Sequence, residues 1–288
     1  MAQEAFGRIE EIGDGLWALI STPLTGDYTT LSNGGIIRGR DGVLVIEGLA
    51  SADGARWMAE RARELTGRRP THVVVTHYHG DHSRGLDGLF ADGSPVVHVT
   101  ADTRRRVLDG FDAAAEPDRA RPWTDVTVIG GNASRDIDIG GRIVRLTPRA
   151  GHTASDVMVT LEEESVTWCG DLVWNGMFPN YVDATPSVLS ETVRAILGSG
   201  HTTFVPGHGP MAGVGDLEIY AAMLDDVEDA ARRALAAGVS AEAAGGDYRL
   251  PADVAGWTLF NPGYFARAID AWMRELSGEG PILVSPGF

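Results

Sequence analysis

The chain has 288 residues, a formal net charge of −16, and 24 basic residues, every one of them arginine. A surface field of that sign repels phosphate backbones and anionic headgroups, which argues against nucleic acid or membrane partners. The missing lysine excludes Schiff-base chemistry, and the single cysteine, Cys169, can form no intrachain disulfide.

No basic segment followed by an apolar core opens the chain, and no apolar run approaches the roughly 20 residues of a membrane span. A soluble, cytoplasmic protein is expected. Short β-runs split by glycine turns come first: Leu16–Ile20, 35–38 and Val43–Ile46. Ser51 then offers a helix N-cap. Ala55, Met58, Ala59, Ala62 and Leu65 recur at helical spacing until Gly67 and Pro70 end the pattern. A buried strand at 72–76 leads into Thr76-His77-Tyr78-His79-Gly80-Asp81-His82. Further strands are expected at Val96–Thr100, 143–147, 157–161, 166–169 and 203–205, with helices near Pro186–Leu197 and 217–237. Two β-rich halves with helices outside predict an α/β fold, a four-layer αββα sandwich, over residues 1–240. From about Ala241 the sequence reads as irregular, and Trp257, Phe260, Tyr264, Phe265 and Trp272 suggest that 241–288 is an extension packed on the body or on a partner subunit of a homo-oligomer.

Imidazole nitrogens and carboxylate oxygens are what zinc and related divalent ions take when no thiolate is offered. One loop carrying His77, His79, Asp81 and His82 can aim alternate side chains in two directions and so feed two ions. Downstream, His152, Asp171 and His208 each follow a predicted strand and each sit beside glycine. Donors placed at successive strand ends are how a metal site is assembled from distant sequence. His72 and His98 lie in or beside apolar runs and read as core or edge residues, Cys169 as core, and His201 as a residue that could approach the mouth.

The ordered pattern H-x-H-x-D-H from His77 to His82, then His152, Asp171 and His208, resembles the metallo-β-lactamase superfamily. The resemblance implies the αββα fold. It also implies that His77, His79 and His152 hold a first metal, that Asp81, His82 and His208 hold a second, and that Asp171 bridges both, with Asp81 and Asp171 also counted as catalytic. The metals would be two zinc ions, with iron or manganese as alternatives. Water shared by two such ions deprotonates near neutrality, so the implied reaction is hydrolysis of a small acyl substrate, β-lactam or lactone-like, without a protein nucleophile. Rival activities on the same fold are thioester hydrolysis of the glyoxalase II type and phosphodiester hydrolysis. An iron-loaded redox module and a non-catalytic metal-binding protein are the rivals from other classes. Two departures from the family stand near the ligands: Arg84-Gly85 where two glycines are usual, and Glu47 where an aspartate is common. Substrate contacts are expected from Arg84 and from Asn175, Phe178 and Tyr181 in the segment after Asp171, with the polar loop 21–33 as a second wall.

Overall fold

The computed structural model describes residues 6–21, 32–91, 93–131 and 133–280. Its first half comprises β1 (Arg8–Gly13), β2 (Leu16–Ile20), β3 (Gly34–Arg38), β4 (Val43–Ile46), α1 (Ala52–Thr66), β5 (His72–Val74), the single turn α2 (Gly80–Ser83), β6 (Val96–Thr100), α3 (Ala101–Asp109), α4 (Pro117–Thr124) and β7 (Val126–Ile129). These seven strands form one sheet in chain order. It is antiparallel from β1 to β4 and parallel from β4 to β7. The second half comprises β8 (Arg135–Asp138), β9 (Ile143–Arg149), β10 (Asp156–Leu161), β11 (Val166–Trp174), α5 (Pro186–Leu197), β12 (Thr203–His208), α6 (Val214–Ala237), α7 (Ala241–Asp247) and α8 (Tyr264–Leu276). Its sheet runs β12-β11-β10-β9-β8.

Why two sheets face each other is visible within single strands. Side chains alternate across a strand, and in β2 the set Leu16, Ala18 and Ile20 enters one apolar cluster while Trp17 and Leu19 enter another. The first cluster lies between the sheets, joining those residues to Val144, Leu146, Val157, Val159 and Trp168. The second packs the outer face of the first sheet against α1 through Ala55, Met58 and Ala62. A third lies outside the second sheet, where Leu172, Val173 and Phe204 meet α5, α6 and α8. Three apolar layers separate four layers of secondary structure, which is the αββα sandwich. Helix α1 begins and ends as expected: the Ser51 side chain accepts from the Gly54 amide, and Gly67 closes it with a left-handed φ of 75°.

Two expectations need correction. The strands predicted to stop at 169 and 205 continue to Trp174 and His208, so Asp171 and His208 lie within β11 and β12 instead of beyond them. The ladder between them shifts register between Trp168 and Gly170 and again before Trp174. Glycine makes this local geometry feasible: Gly170 adopts φ +53°, and a Cβ on Gly207 would stand 2.0 Å from Asp171 Oδ1. Second, the region after Ala241 is not irregular. It holds α7 and α8, and Tyr264, Ala268, Ile269 and Trp272 are buried in the same apolar cluster as α5 and α6. No helix among the described residues is long and apolar enough to cross a membrane.

Candidate metal centre

Strand β5 ends at Val74, and the chain then passes through 75–79 into α2, carrying His77, His79, Asp81 and His82 to the second sheet's donors. The second sheet supplies His152 from the β9–β10 turn, Asp171 from β11 and His208 from the end of β12. The ligand-type atoms of His77, His79, His152 and Asp171 lie within 4.8 Å of one another, and so do those of Asp81, His82 and His208. Asp171 spans the two groups. Its Oδ2 is 3.2 Å from His152 Nε2 and 3.9 Å from His77 Nε2, whereas its Oδ1 is 3.0 Å from His82 Nε2 and 3.2 Å from His208 Nε2. Asp81 Oδ2 closes the second group at 3.4 Å from His82 Nε2 and 3.3 Å from His208 Nε2.

Hydrogen-bond bookkeeping tests whether these residues suit cations. Thr76 Oγ1 donates to Glu47 Oε1 at 2.6 Å, so it accepts from His77 Nδ1–H at 3.0 Å and leaves a lone pair on His77 Nε2. His79 Nε2 donates to Asp183 Oδ2 at 2.9 Å, which leaves a lone pair on His79 Nδ1. Those two lone pairs face each other across 3.1 Å, and His152 Nε2 stands 3.0 Å from the same His79 nitrogen. Two acceptors at hydrogen-bond distance repel unless a cation lies between them. In the second group, His82 Nε2 and Asp171 Oδ1 are buried with no aligned hydrogen-bond partner despite their 3.0 Å separation. The donor set suits two divalent ions with nitrogen and oxygen ligands.

The electrostatics separate the two groups. Burial drives the His152 pKa down to about 3 and, with the charge on His82, holds that of His77 well below the usual histidine range. Burial also opposes charge on His82 and His208, but there the carboxylates prevail. Asp171, Asp81 and Glu47 raise the pKa of His82 well above its ordinary value, and Asp171 and Asp81 raise that of His208 to about 9. The buried carboxylates therefore make the second group the one that favours positive charge.

The supporting residues are mostly acids and amides. Glu47, with a left-handed φ of 79°, turns its buried carboxylate onto Thr76 and places Oε1 3.1 Å from His82 Nδ1, so one side chain supports a histidine in each group. Asp156 accepts from Thr153 N and Oγ1 at 2.9 and 2.7 Å and fixes the turn that carries His152. Asn33 donates to the carbonyls of Pro206 and Gly209, holding the segment that carries His208, while Ser32 Oγ donates to the Asp81 carbonyl. These two residues end the expected wall 21–33; positions 22–31 lie outside the described residues. The indole of Trp174 lies against His208, ring centroids 4.0 Å apart, with Tyr264 of α8 behind it at 6.4 Å.

Several expected contacts move. Phe178 and Tyr181 are buried in the apolar cluster under α8 instead of lining a mouth: Phe178 packs edge-on to Phe265, ring centroids 4.7 Å apart. Asn175 gives its amide hydrogens to the Pro210 and Met211 carbonyls. Arg84 is exposed at the end of α2, with no ion-pair partner among the described residues. His201 is held between Thr167 and Glu162 where β11 and β12 begin, at the opposite end from the cluster. Cys169 is fully buried, and burial pushes its thiol pKa up. Asp183 escaped the sequence reading, and Tyr264 was read only as an aromatic of the packed extension. Neither stands in a local motif, and only the packing of 181–185 and α8 brings them to the cluster.

Comparison with known proteins agrees with this architecture. A hydroxyacylglutathione hydrolase of Rhodospirillum rubrum is 26% identical over 228 residues, spanning 77% of this chain and 80% of its own length. Among solved structures, the metallo-beta-lactamase FIM-1 of Pseudomonas aeruginosa superposes with a TM-score of 0.62 at 20% identity, covering 76% of this chain and 95% of that one. The sec-alkylsulfatase Pisa1 of Pseudomonas sp. superposes with a TM-score of 0.70 at 15% identity over 93% of this chain, which spans half of Pisa1's length. The family model described as the metallo-beta-lactamase superfamily matches residues 28–213. With its four layers and its clustered histidines and aspartates, the chain belongs to the metallo-beta-lactamase superfamily.

Proposed function

We propose that this metal-dependent hydrolase holds two divalent ions, zinc in the first instance, and cleaves a small acyl substrate at its carbonyl. His77, His79 and His152 would hold the first ion, Asp81, His82 and His208 the second, and Asp171 both. The observation that carries this is the Asp171 carboxylate, which turns one oxygen to each group of donors. When bound, such ions polarise a carbonyl oxygen and bring the pKa of water down from 15.7 toward about 7. The chain's own residues do the rest. His79 and Asp81 keep 18% and 23% of their side chains exposed while the other donors are nearly covered, so substrate reaches the cluster on their side. Asp81 faces both solvent and the second group, where it can accept a proton and orient the attacking water. Two described nucleophiles near the cluster are not available: Cys169 is sealed in the core, and Ser83 Oγ is engaged with the Tyr78 and His79 carbonyls.

Among acyl classes, the relatives named hydroxyacylglutathione hydrolases favour a thioester. The lactam and lactone reading rests on the ligand pattern. The test is metal analysis of the purified protein combined with rates on a thioester, a homoserine lactone, nitrocefin and a phosphodiester before and after chelation. Two ions per chain, with acyl hydrolysis lost on chelation and restored by zinc, is the expected result. Full activity with one ion, or turnover of the phosphodiester alone, would overturn it.

A further inference from the structure

The outer nitrogens of the three histidines in the first group are supported unequally. That of His77 meets a neutral hydroxyl, Thr76 Oγ1, and that of His152, Nδ1, is buried with no hydrogen-bond partner among the described residues. That of His79 meets a carboxylate: Asp183 Oδ2 lies 2.9 Å from Nε2, and Asp183 is only 2% exposed. The same oxygen accepts from the hydroxyl of Tyr78, whose ring lies under the Arg106 guanidinium at 4.8 Å. Asp183 stands between β11 and α5, 104 positions along the chain from His79. Residue and partner are thus joined only by the fold.

From this arrangement we infer that Asp183 is the positioning residue of the first ion site, acting through His79. A buried carboxylate that accepts from Nε2–H fixes the tautomer, keeps Nδ1 unprotonated and turned toward His77 Nε2 and His152 Nε2, and makes that nitrogen a stronger donor to a cation. His79 has more need of this than its neighbours. It is the most exposed histidine of its group, so packing alone holds its ring least. Tyr78 plays a lesser part: its hydroxyl orients the carboxylate, while its ring meets the His79 imidazole edge-on, centroids 4.9 Å apart, in a contact that Tyr78→Phe would keep.

The inference rests on the two-ion function proposed above, and the experiment separates them. Zinc affinity is measured by chelator competition in the full chain for wild type, Asp183→Asn and Tyr78→Phe, with the absorption of the cobalt-loaded proteins as a second readout. Asp183→Asn is expected to weaken one ion by 10–100-fold, in line with loss of an outer-shell partner, to leave the other within a few-fold, and to shift the cobalt spectrum. Tyr78→Phe is expected to weaken the same ion by no more than a few-fold. A third measurement does not depend on the variants folding: nitrogen-15 shifts of His79 in the metal-stripped wild type should report the Nε2–H tautomer. The Nδ1–H tautomer, unchanged zinc affinity in Asp183→Asn, or equal weakening of both ions would overturn the inference. A wild type that binds one ion, weakened by Asp183→Asn, would sustain the inference and overturn the two-ion function.

Discussion

Glu47 stands where a glycine would meet the backbone geometry at less cost, since a left-handed φ is strained for a residue with a side chain. Its carboxylate reaches Thr76, and through it His77, as well as His82 directly. Glu47→Gln keeps the size and removes the charge, and zinc affinity is expected to fall 10–100-fold at both sites, read by chelator titration. That contrasts with the single-site loss expected of Asp183→Asn. His152→Ala should deplete mainly the first ion and His208→Ala mainly the second, each lowering kcat/KM by about 100-fold or more; metal analysis of the two variants checks the assignment. Arg84 remains the substrate contact to test. Arg84→Ala is expected to raise KM several-fold for carboxylate-bearing substrates with little change for neutral ones, as when uniform binding energy is removed. At this scale the clustering of the seven histidines and aspartates was legible in the sequence, because six positions of one loop carry most of them and glycine marks the rest. Asp183 was not legible, because a lone acid in a loop looks like the chain's many other acids until folding brings it to His79.

Between elements, the parallel pair β5 and β6 carries a histidine contact that no ligand role explains. His72 Nδ1 and His98 Nε2 lie 3.1 Å apart, and two rings at that distance can share one proton but resist a second. Burial, reinforced by the charges of His72 and Arg135, pushes the His98 pKa down to about 4 from an unfolded value near 6.5. The folded chain therefore resists a proton that the unfolded chain accepts. The associated stability is complete above about pH 6.5 and is lost as the pH falls toward 4, by up to about 3 kcal/mol. Urea unfolding across that range should show the loss in wild type and a flatter profile in His98→Gln. Element prediction failed most at the C-terminal end. Tyr264, Ala268, Ile269 and Trp272 do follow a helical stripe, but Pro262 and Gly263 just before it and the density of aromatics disguise it as a loop. The same helix explains why Phe178 and Tyr181 are core: α7 and α8 cover the segment that would otherwise have been a pocket wall.

At the level of the whole molecule, four layers were legible because β-runs and helical stretches recur in both halves of the sequence, and the strands prove buried on both faces, as sheets covered on both sides must be. Helix α8 belongs to that cover. Trp272, 3% exposed within the third apolar cluster, should cost about 3–5 kcal/mol when replaced by alanine, measured by urea unfolding. The donors themselves are divided between the two sheets, four from the first half of the chain and three from the second. An ion held by both sets is a removable staple across the seam, and mass action makes its contribution adjustable: about 2.7 kcal/mol when free metal is a hundredfold above its dissociation constant. Metal supply would then govern the lifetime of the protein as well as its chemistry. Two fragments cut in the β7–β8 connection should reassemble more tightly with zinc present than with chelator.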